Sequence, residues 1–411
     1  MIAPNKEYLN LAWTCHDSFQ SCAETWRAFQ RTAVRSVFQR YEWLKAEHDI
    51  LGREEGIEPR IVLGSAADGE PKILLPLGLT RQMGATALSW LGIDLSDYGA
   101  PLLAPDLHAR LTPQDVRAIL AKAAELSGGA DFTLLEKQPE RIGDLPNPFA
   151  TADSEEGATH AYALALGNDW TSFYAALRSS KTRRRMNEKE KKLAQSGDLV
   201  FRQVTDFGEA CRAIDTIIGW KIAQVRARGR FNPFRGVAIE PFFGRLLGEA
   251  PDLLRIYSLD LDGKMLAGCI ALIDQKVFTL YQTAYDNGDY ARYSPGRILI
   301  HRMMEDAIDN GLTVFDFSLG DEGYKLEICD QKTAMMRSSQ VFTMKGWLPA
   351  TLQTQKNRLK IRIKSSPRLL DGVTKAIETA KQLGFDGPES RLHATAGRGV
   401  MKMTPQTSAS E

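Results

Sequence analysis

Tyr281-Gln-Thr-Ala-Tyr285-Asp-Asn-Gly-Asp-Tyr290-Ala-Arg-Tyr293-Ser-Pro-Gly296-Arg297 leads into an amphipathic stretch ending at Gly311. Then comes Val314-Phe-Asp316-Phe-Ser318-Leu-Gly320-Asp-Glu322-Gly-Tyr324-Lys325. The order is a β pattern, a Ser-Pro-Gly turn that opens a helix, and a second β pattern ending in a polar loop. A helix N-terminus presents unpaired N–H groups at the positive end of its dipole, so it suits an anion. Gly296 permits close backbone approach, Pro295 stiffens the turn, and Arg297 sets a cation beside it. The plainer reading is a cap on a core helix.

Around this stretch the second half of the chain reads as one α/β unit. Helical periodicity covers 207–227, and strand patterns fall at 253–259, 265–273, 277–284, 314–318 and 338–344. Asp262-Gly263 spells a tight hairpin turn. The first half follows a similar order. After an irregular or partly paired arm at 1–25, the spacing predicts a helix over 25–50, strands at 60–64, 72–79 and 88–93, a helix at 112–126 and a strand at 132–136. Thr112 and Pro113 are the expected cap and first turn of that helix. A Pro-, Gly- and acid-rich segment at 139–157 separates the halves, and 162–166 reads as a crossover strand. The expected units are therefore 1–157, 158–350 and a basic extension 351–411. The extension carries 11 basic and 5 acidic residues, and its last fifteen or so residues read as disordered.

Composition sets outer limits. The chain has 411 residues, 43% hydrophobic and 25% charged, with a net charge of +1. That balance gives no global case for a nucleic-acid partner. The five cysteines, at 15, 22, 211, 269 and 329, show neither metal-ligand spacing nor a disulfide framework, so no metal is expected. Reduced thiols, no apolar run of membrane-spanning length and no signal-peptide pattern point to the cytoplasm.

The order and spelling of 281–325 resemble a GNAT-type acyltransferase. They are most similar to the bacterial branch associated with cellulose and exopolysaccharide biosynthesis, which is related to Fem-type aminoacyl transferases. The resemblance implies an α/β (α+β) fold of tandem GNAT-like domains, each a mixed, mostly antiparallel sheet flanked by helices. It implies an acetyl-CoA or other acyl-CoA donor lying along the 277–284 strand, beside Tyr281, with its pyrophosphate received by Ser294, Gly296 and Arg297. Tyr293-Ser-Pro-Gly296-Arg297-Ile departs from the common CoA-binding spelling, so an acyl carrier protein or an aminoacyl-tRNA stays open as donor. The acceptor implied is an amine on a small molecule or glycan precursor.

Acyl transfer to an amine needs a base, oxyanion donors and an acid for the leaving thiolate. Glu322 or Asp321 is the candidate base and Tyr285 or Tyr324 the candidate acid. Lys325 is a candidate for binding an anion or neutralising developing charge. Asp316 alternates with Phe315 and Phe317 and is expected to face a cleft or solvent. The alternative is that Asp321 and Glu322 form a solvated turn. Residues 178–192 carry eight positive and two negative side chains, with Arg183, Arg184 and Arg185 consecutive. This basic helix reads as a phosphate clamp or as a solvated face. A loop around 231–236 is a further candidate wall for an acceptor pocket.

Overall fold

A computed structural model describes residues 10–366 except 93, 152, 228–233 and 235–237. The expected disorder at the chain's end and most of the 231–236 loop lie outside these residues.

The first half contains strands β1 (Ala12–His16), β2 (Glu58–Ser65), β3 (Pro71–Gln82), β4 (Ala85–Trp90), β5 (Leu102–Leu103) and β6 (Phe132–Pro139). Its helices are α1 (Ala23–Phe29), α2 (Tyr41–Glu47), α3 (Pro105–His108) and α4 (Pro113–Leu126). The link holds the small hairpin β7 (Arg141–Ile142) and β8 (Leu145–Pro146), then α5 (Pro148–Thr151) and β9 (Ser154–Ala165). The second half begins with α6 (Trp170–Leu177), α7 (Ser180–Ala194), β10 (Leu199–Val204), α8 (Phe207–Ala227) and α9 (Ile239–Glu249). It continues with β11 (Leu254–Leu261), β12 (Lys264–Asp274), β13 (Val277–Tyr285), α10 (Pro295–Asp309), β14 (Val314–Leu319), α11 (Gly323–Ile328), β15 (Gln331–Ser338) and α12 (Met344–Ser365).

The two halves share one topology. In each, an antiparallel run (β1-β2-β3-β4 or β10-β11-β12-β13) leads through a helix (α4 or α10) to a strand that pairs in parallel (β6 or β14). The parallel pairing is short in both. Ala87–Ser89 faces Phe132–Leu134, and Val277–Thr279 faces Val314–Asp316. Beyond these residues the strands part. The turns also correspond. Gly69 (φ 88°) closes the β2–β3 hairpin, and Asp262 and Gly263 (φ 50° and 76°) close β11–β12, the left-handed region that such turns require.

The strand that follows each half's parallel strand crosses over. β9 pairs with β14, β15 pairs with β6, and β9 and β15 pair with each other, all antiparallel. This exchange fuses the halves into a 13-stranded sheet among the described residues. In the second half both sheet faces are covered. Ile256, Ile270 and Leu272 join one core with α8 and α9, while Tyr257, Cys269 and Phe278 join another with α10. Burial on both faces explains the nearly continuous apolar runs of β11 to β13.

Four expectations need correction. The 25–50 segment is not one helix. Val34 bridges to Leu103, Arg35 turns inward, and Ser36 with Gln39 caps a short 3-10 turn, so tertiary pairing overrides the helical spacing. The closing strand lies at Gln331–Ser338, upstream of the 338–344 pattern, because α12 already begins at Met344. The polar loop after β14 contains α11. The extension from Thr351 begins inside a helix, α12, despite its internal Pro349.

A buried ion pair holds the halves together. Arg35, with its side chain 3% exposed, donates to Asp274 at the end of β12 and to the Gln30 carbonyl. Aromatic edges support it, with Trp43 5.1 Å from Tyr281 and 5.2 Å from Phe242, centroid to centroid. Each such pair adds about 0.5–1.5 kcal/mol beyond area burial. Asp274→Ala leaves the Arg35 guanidinium buried without its carboxylate and is expected to cost about 3–5 kcal/mol. Urea denaturation measures this; a loss under about 1 kcal/mol would mean that the pair is not a clamp.

Candidate functional site

The site lies where β13 and β14 part. β13 carries one extra residue, Tyr281, against Ile270 and Ala271 of β12. Such a bulge bends a strand and re-aims its end. On β14, Ser318 takes a left-handed conformation (φ 58°), and the register with β9 slips between Asp316 and Leu319. Both strands are thus distorted just beyond their last shared pair, Thr279 and Asp316.

Beyond the fork, α10 starts without a side-chain cap. Its N-cap residue Ser294 is left-handed (φ 61°), and the Ser294 Oγ instead accepts from Lys189 Nζ of α7 at 2.7 Å. A Cβ on Gly296 would sit 3.1 Å from a Tyr285 ring carbon, so glycine lets this ring pack against the first turn. The equivalent helix in the first half is closed. Thr112 and Asp115 form a full capping box at α4, and the Asp115 carboxylate accepts from Thr112 N and Oγ1. A carboxylate at that position competes with any incoming anion. Only one of the two corresponding helix starts is therefore electrostatically open to phosphate.

Beside the first two turns of α10 lies a cavity of about 270 Å³, lined by Arg178, Arg185, Arg297, His301 and Tyr324 among others. The three guanidiniums come from the α6–α7 link, α7 and the first turn of α10. Arg178 is tethered by the Glu327 carbonyl at 3.1 Å, while Arg185 and Arg297 are exposed. His301 sits beneath, its Nδ1 3.3 Å from the Tyr174 hydroxyl. Burial, followed by the charges of Arg178, Arg297 and Arg302, lowers its pKa to about 4, so the imidazole is neutral at neutral pH. Burial and the charges of Arg185 and Arg297 also lower the Lys189 pKa. Cations packed closely enough to lower a neighbouring lysine's pKa mark a place suited to an anion.

The sequence-derived residues divide into groups. Arg185, Arg297 and Tyr324 line one cavity, and Ser294 and Gly296 form the start of α10 beside it. Arg183 and Arg184 point elsewhere: both border a separate shallow surface, and Arg184 pairs with Glu188 at 3.5 Å. A helix turns about 100° per residue, so three consecutive arginines cannot share one direction. Tyr281 is buried, and its hydroxyl donates to the Leu95 carbonyl at 2.9 Å in the contact between halves. Asp321 accepts from Tyr162 at 2.8 Å and lies 3.0 Å from His160 Nδ1.

Asp316 and Lys325 differ most from expectation. Asp316 faces neither cleft nor solvent but is buried. Its carboxylate accepts from the Tyr98 hydroxyl at 2.9 Å and from Ser318 N at 2.7 Å. Lys325 is 3% exposed, donates to the Leu319 carbonyl at 2.7 Å and pairs with Glu322 at 3.0 Å, so its charge is spent internally. Burial pushes the Glu322 pKa up, but Lys325 and hydrogen bonds outweigh this and leave it lowered. Burial raises the Tyr324 phenol, with Glu322 adding to the effect, so it stays protonated.

Asp97 and Tyr98 belong to a loop, 90–99, that the resemblance offers for an acceptor site, and Arg178 belongs to the basic run; the sequence did not place them beside the end of β14 or the start of α10. Asp97 accepts from the Ser318 hydroxyl, so the 94–98 loop of the first half supplies polar partners to the end of β14. The turn-rich spelling marked a loop but held no signal for its partner. Arg178 stands at the edge of the basic run, where only the packing of α7 over α10 distinguishes it from its neighbours. Among the described residues, no group of His, Cys, Asp and Glu is arranged to hold a metal ion.

Residues 180–326 match the acetyltransferase (GNAT) domain family. No curated protein sequence matches the chain. Among solved structures, FemX is similar over 79% of this chain and 96% of its own, at 11% identity and a TM-score of 0.54. A conserved protein of unknown function from Bacteroides thetaiotaomicron VPI-5482 is similar over 79% and 98%, at 14% identity and 0.49. The C-terminal domain of a putative lysylphosphatidylglycerol synthetase from Agrobacterium fabrum is similar over 82% and 96%, at 13% identity and 0.48. The FemX likeness and the repeated topology together define a mixed α/β fold of tandem GNAT-like units, with the matched GNAT domain in the second.

Burial raises the Asp316 pKa from 3.8 to about 6, against the lowering effect of its two hydrogen bonds. The folded chain thus holds a proton that the unfolded chain has released. The resulting stabilisation is full below 3.8 and is lost as pH rises through about 6. Asp316→Asn is expected to remove about 3 kcal/mol of stability change across that window. Denaturant midpoints through the window check it; identical slopes for both proteins would place the titration elsewhere.

Proposed function

We propose that the protein is an N-acyltransferase that moves an acyl group from acyl-CoA to an amine. The observation that carries this reading is the convergence of Arg178, Arg185 and Arg297 on one cavity at the uncapped start of α10. Three guanidiniums and a helix N-terminus match a pyrophosphate in charge and geometry. The parted strands β13 and β14 leave backbone groups to which a pantetheine arm adds as an extra strand. The match of residues 180–326 to the acetyltransferase domain supports the same class.

In the reaction the amine nitrogen attacks the thioester carbonyl. A C–N bond forms, the C–S bond breaks, and the nitrogen loses a proton. Glu322, partly exposed on the turn after β14 and kept ionised by Lys325, is the carboxylate that receives that proton, by way of water. Tyr324 lines the cavity as a neutral phenol and protonates the departing thiolate. Glu322 and Lys325 hold the turn from which Tyr324 projects. Tyr285 shapes the donor turn through its contact with Gly296. We place the donor domain at 158–350, the partner domain at 1–157, and the activity in the cytoplasm, with an acceptor in envelope or exopolysaccharide synthesis.

A second donor class, aminoacyl-tRNA, is implied by the resemblance to Fem-type transferases. The basic outer face of α7, where Arg183, Arg184 and Lys191 border an open surface, favours it. That face suits a polyanion larger than the cavity holds.

Calorimetry with acetyl-CoA and longer acyl-CoAs tests the donor. Arg185→Glu is expected to weaken binding about tenfold or more, while Arg184→Glu changes it little. Equal effects would reduce α7 to a diffuse field, and no binding by the wild type would turn the assignment to aminoacyl-tRNA or a carrier protein. With an acceptor in hand, Tyr324→Phe is expected to lower kcat by about 10²-fold with little change in KM. An unchanged kcat would remove Tyr324 as the acid.

A further inference from the structure

Helix α12 is packed on one side and bare on the other over residues 344–353. On the packed side, a Cβ on Gly346 would lie 2.3 Å from the Asp131 carbonyl oxygen, so the helix backbone rests directly on the start of β6. Ala350 joins Ala85, Ala87, Phe132 and Leu134 in a small core. The Gln353 carbonyl accepts from Arg337 at 2.7 Å, and its side chain donates to Gln82 at 3.2 Å. These contacts fix the helix's rotation.

The opposite side carries Met344, Trp347, Leu348 and Leu352, which are 91%, 60%, 51% and 44% exposed. Their spacing of three and four places them on one stripe. Met83, at the tip of the β3–β4 hairpin tied to α12 through Gln82, is 71% exposed. Each large apolar side chain left in water forgoes the stabilisation that burial would give it. A contiguous row of them marks a surface that meets something apolar.

Charge identifies that something. Residues 344–366 contain six lysines and arginines and no aspartate or glutamate. Arg81, Lys345 and Lys356 are exposed. A protein interface would favour paired charges of both signs around an apolar centre. An apolar stripe with a tryptophan, set in a wholly basic stretch, instead has the chemistry of an interfacial helix on an anionic leaflet. We propose that α12 docks the protein on an anionic lipid bilayer, with Met344, Trp347, Leu348 and Leu352 entering the headgroup region. The inference is independent of the donor assignment. It also differs from membrane spanning, since no described helix is long and apolar enough to cross a bilayer.

Sedimentation of the full chain with vesicles tests it. Binding is expected to vesicles of phosphatidylcholine with about 30% phosphatidylglycerol, to be weak to phosphatidylcholine alone, and to fall with salt. Trp347→Glu with Leu348→Glu is expected to lower the partition coefficient at least about tenfold, with thermal stability unchanged because both side chains are exposed. Lys345→Glu with Lys356→Glu should reduce it about 30-fold or more, at roughly 1 kcal/mol for each of the two basic residues lost. No wild-type binding to the anionic vesicles, or equal binding by the Trp347/Leu348 variant, would overturn the proposal. So would a dimer in analytical ultracentrifugation that the Trp347/Leu348 variant abolishes and that does not bind vesicles, because a second copy of the chain would then cover the stripe.

Discussion

The exchange of β9 and β15 is the constraint on which the rest of the molecule depends. Each strand leaves the half that precedes it in sequence and completes the sheet of the other. Their mutual pairing at the centre satisfies backbone groups that two separate sheets would leave as open edges. Once this ladder forms, the halves cannot separate without breaking a central part of the sheet. Arg35 with Asp274 and the aromatic contacts of Trp43 then act on surfaces already brought into register.

The chemistry of the fork follows from that arrangement. Short parallel pairing makes β13 and β14 diverge, and divergence leaves the end of β14 in need of polar partners. The 94–98 loop supplies them from the other half through Asp97 and Tyr98. Asp316 is buried as a result, and its pKa rises because burial exceeds what two hydrogen bonds return. On the other side of the sheet, α7 lies over α10 and brings Arg185 above a helix start that Ser294 leaves uncapped. The repeat is therefore a duplication of backbone, with differentiated ends. Asp115 closes one helix start, and Lys189 with three arginines makes the other attractive to an anion.

Much of this was legible in the chain. The paired hairpins were written in Asp68-Gly69 and Asp262-Gly263, where positive φ narrows the residue choice. Thr112-Pro113 announced α4, and the long apolar period of 207–227 coincides with α8. Ser294-Pro-Gly296-Arg297 marked the start of α10 and, through Arg297, one wall of the cavity. These are local signals, set within a few residues by backbone sterics and side-chain period. The short α11 was hidden because six residues spelled with glycine and charge resemble a turn. The break in 25–50 was hidden because Val34 and Arg35 are drawn away by partners at 103 and 274, far along the chain.

By itself the sequence determined the order of elements, the hairpin turns, the start of α10 and the presence of a strongly basic helix. Only the tertiary structure decided which charges meet. Arg185 faces the cavity while Arg184 does not, because α7 crosses α10 at one fixed rotation. Lys325 is internal and Asp316 is covered, because strand exchange brings a loop from the first half onto the end of β14. Periodicity reports which face of an element is apolar. It carries no information about which distant element will cover that face, and the electrostatics of this site are set by that covering.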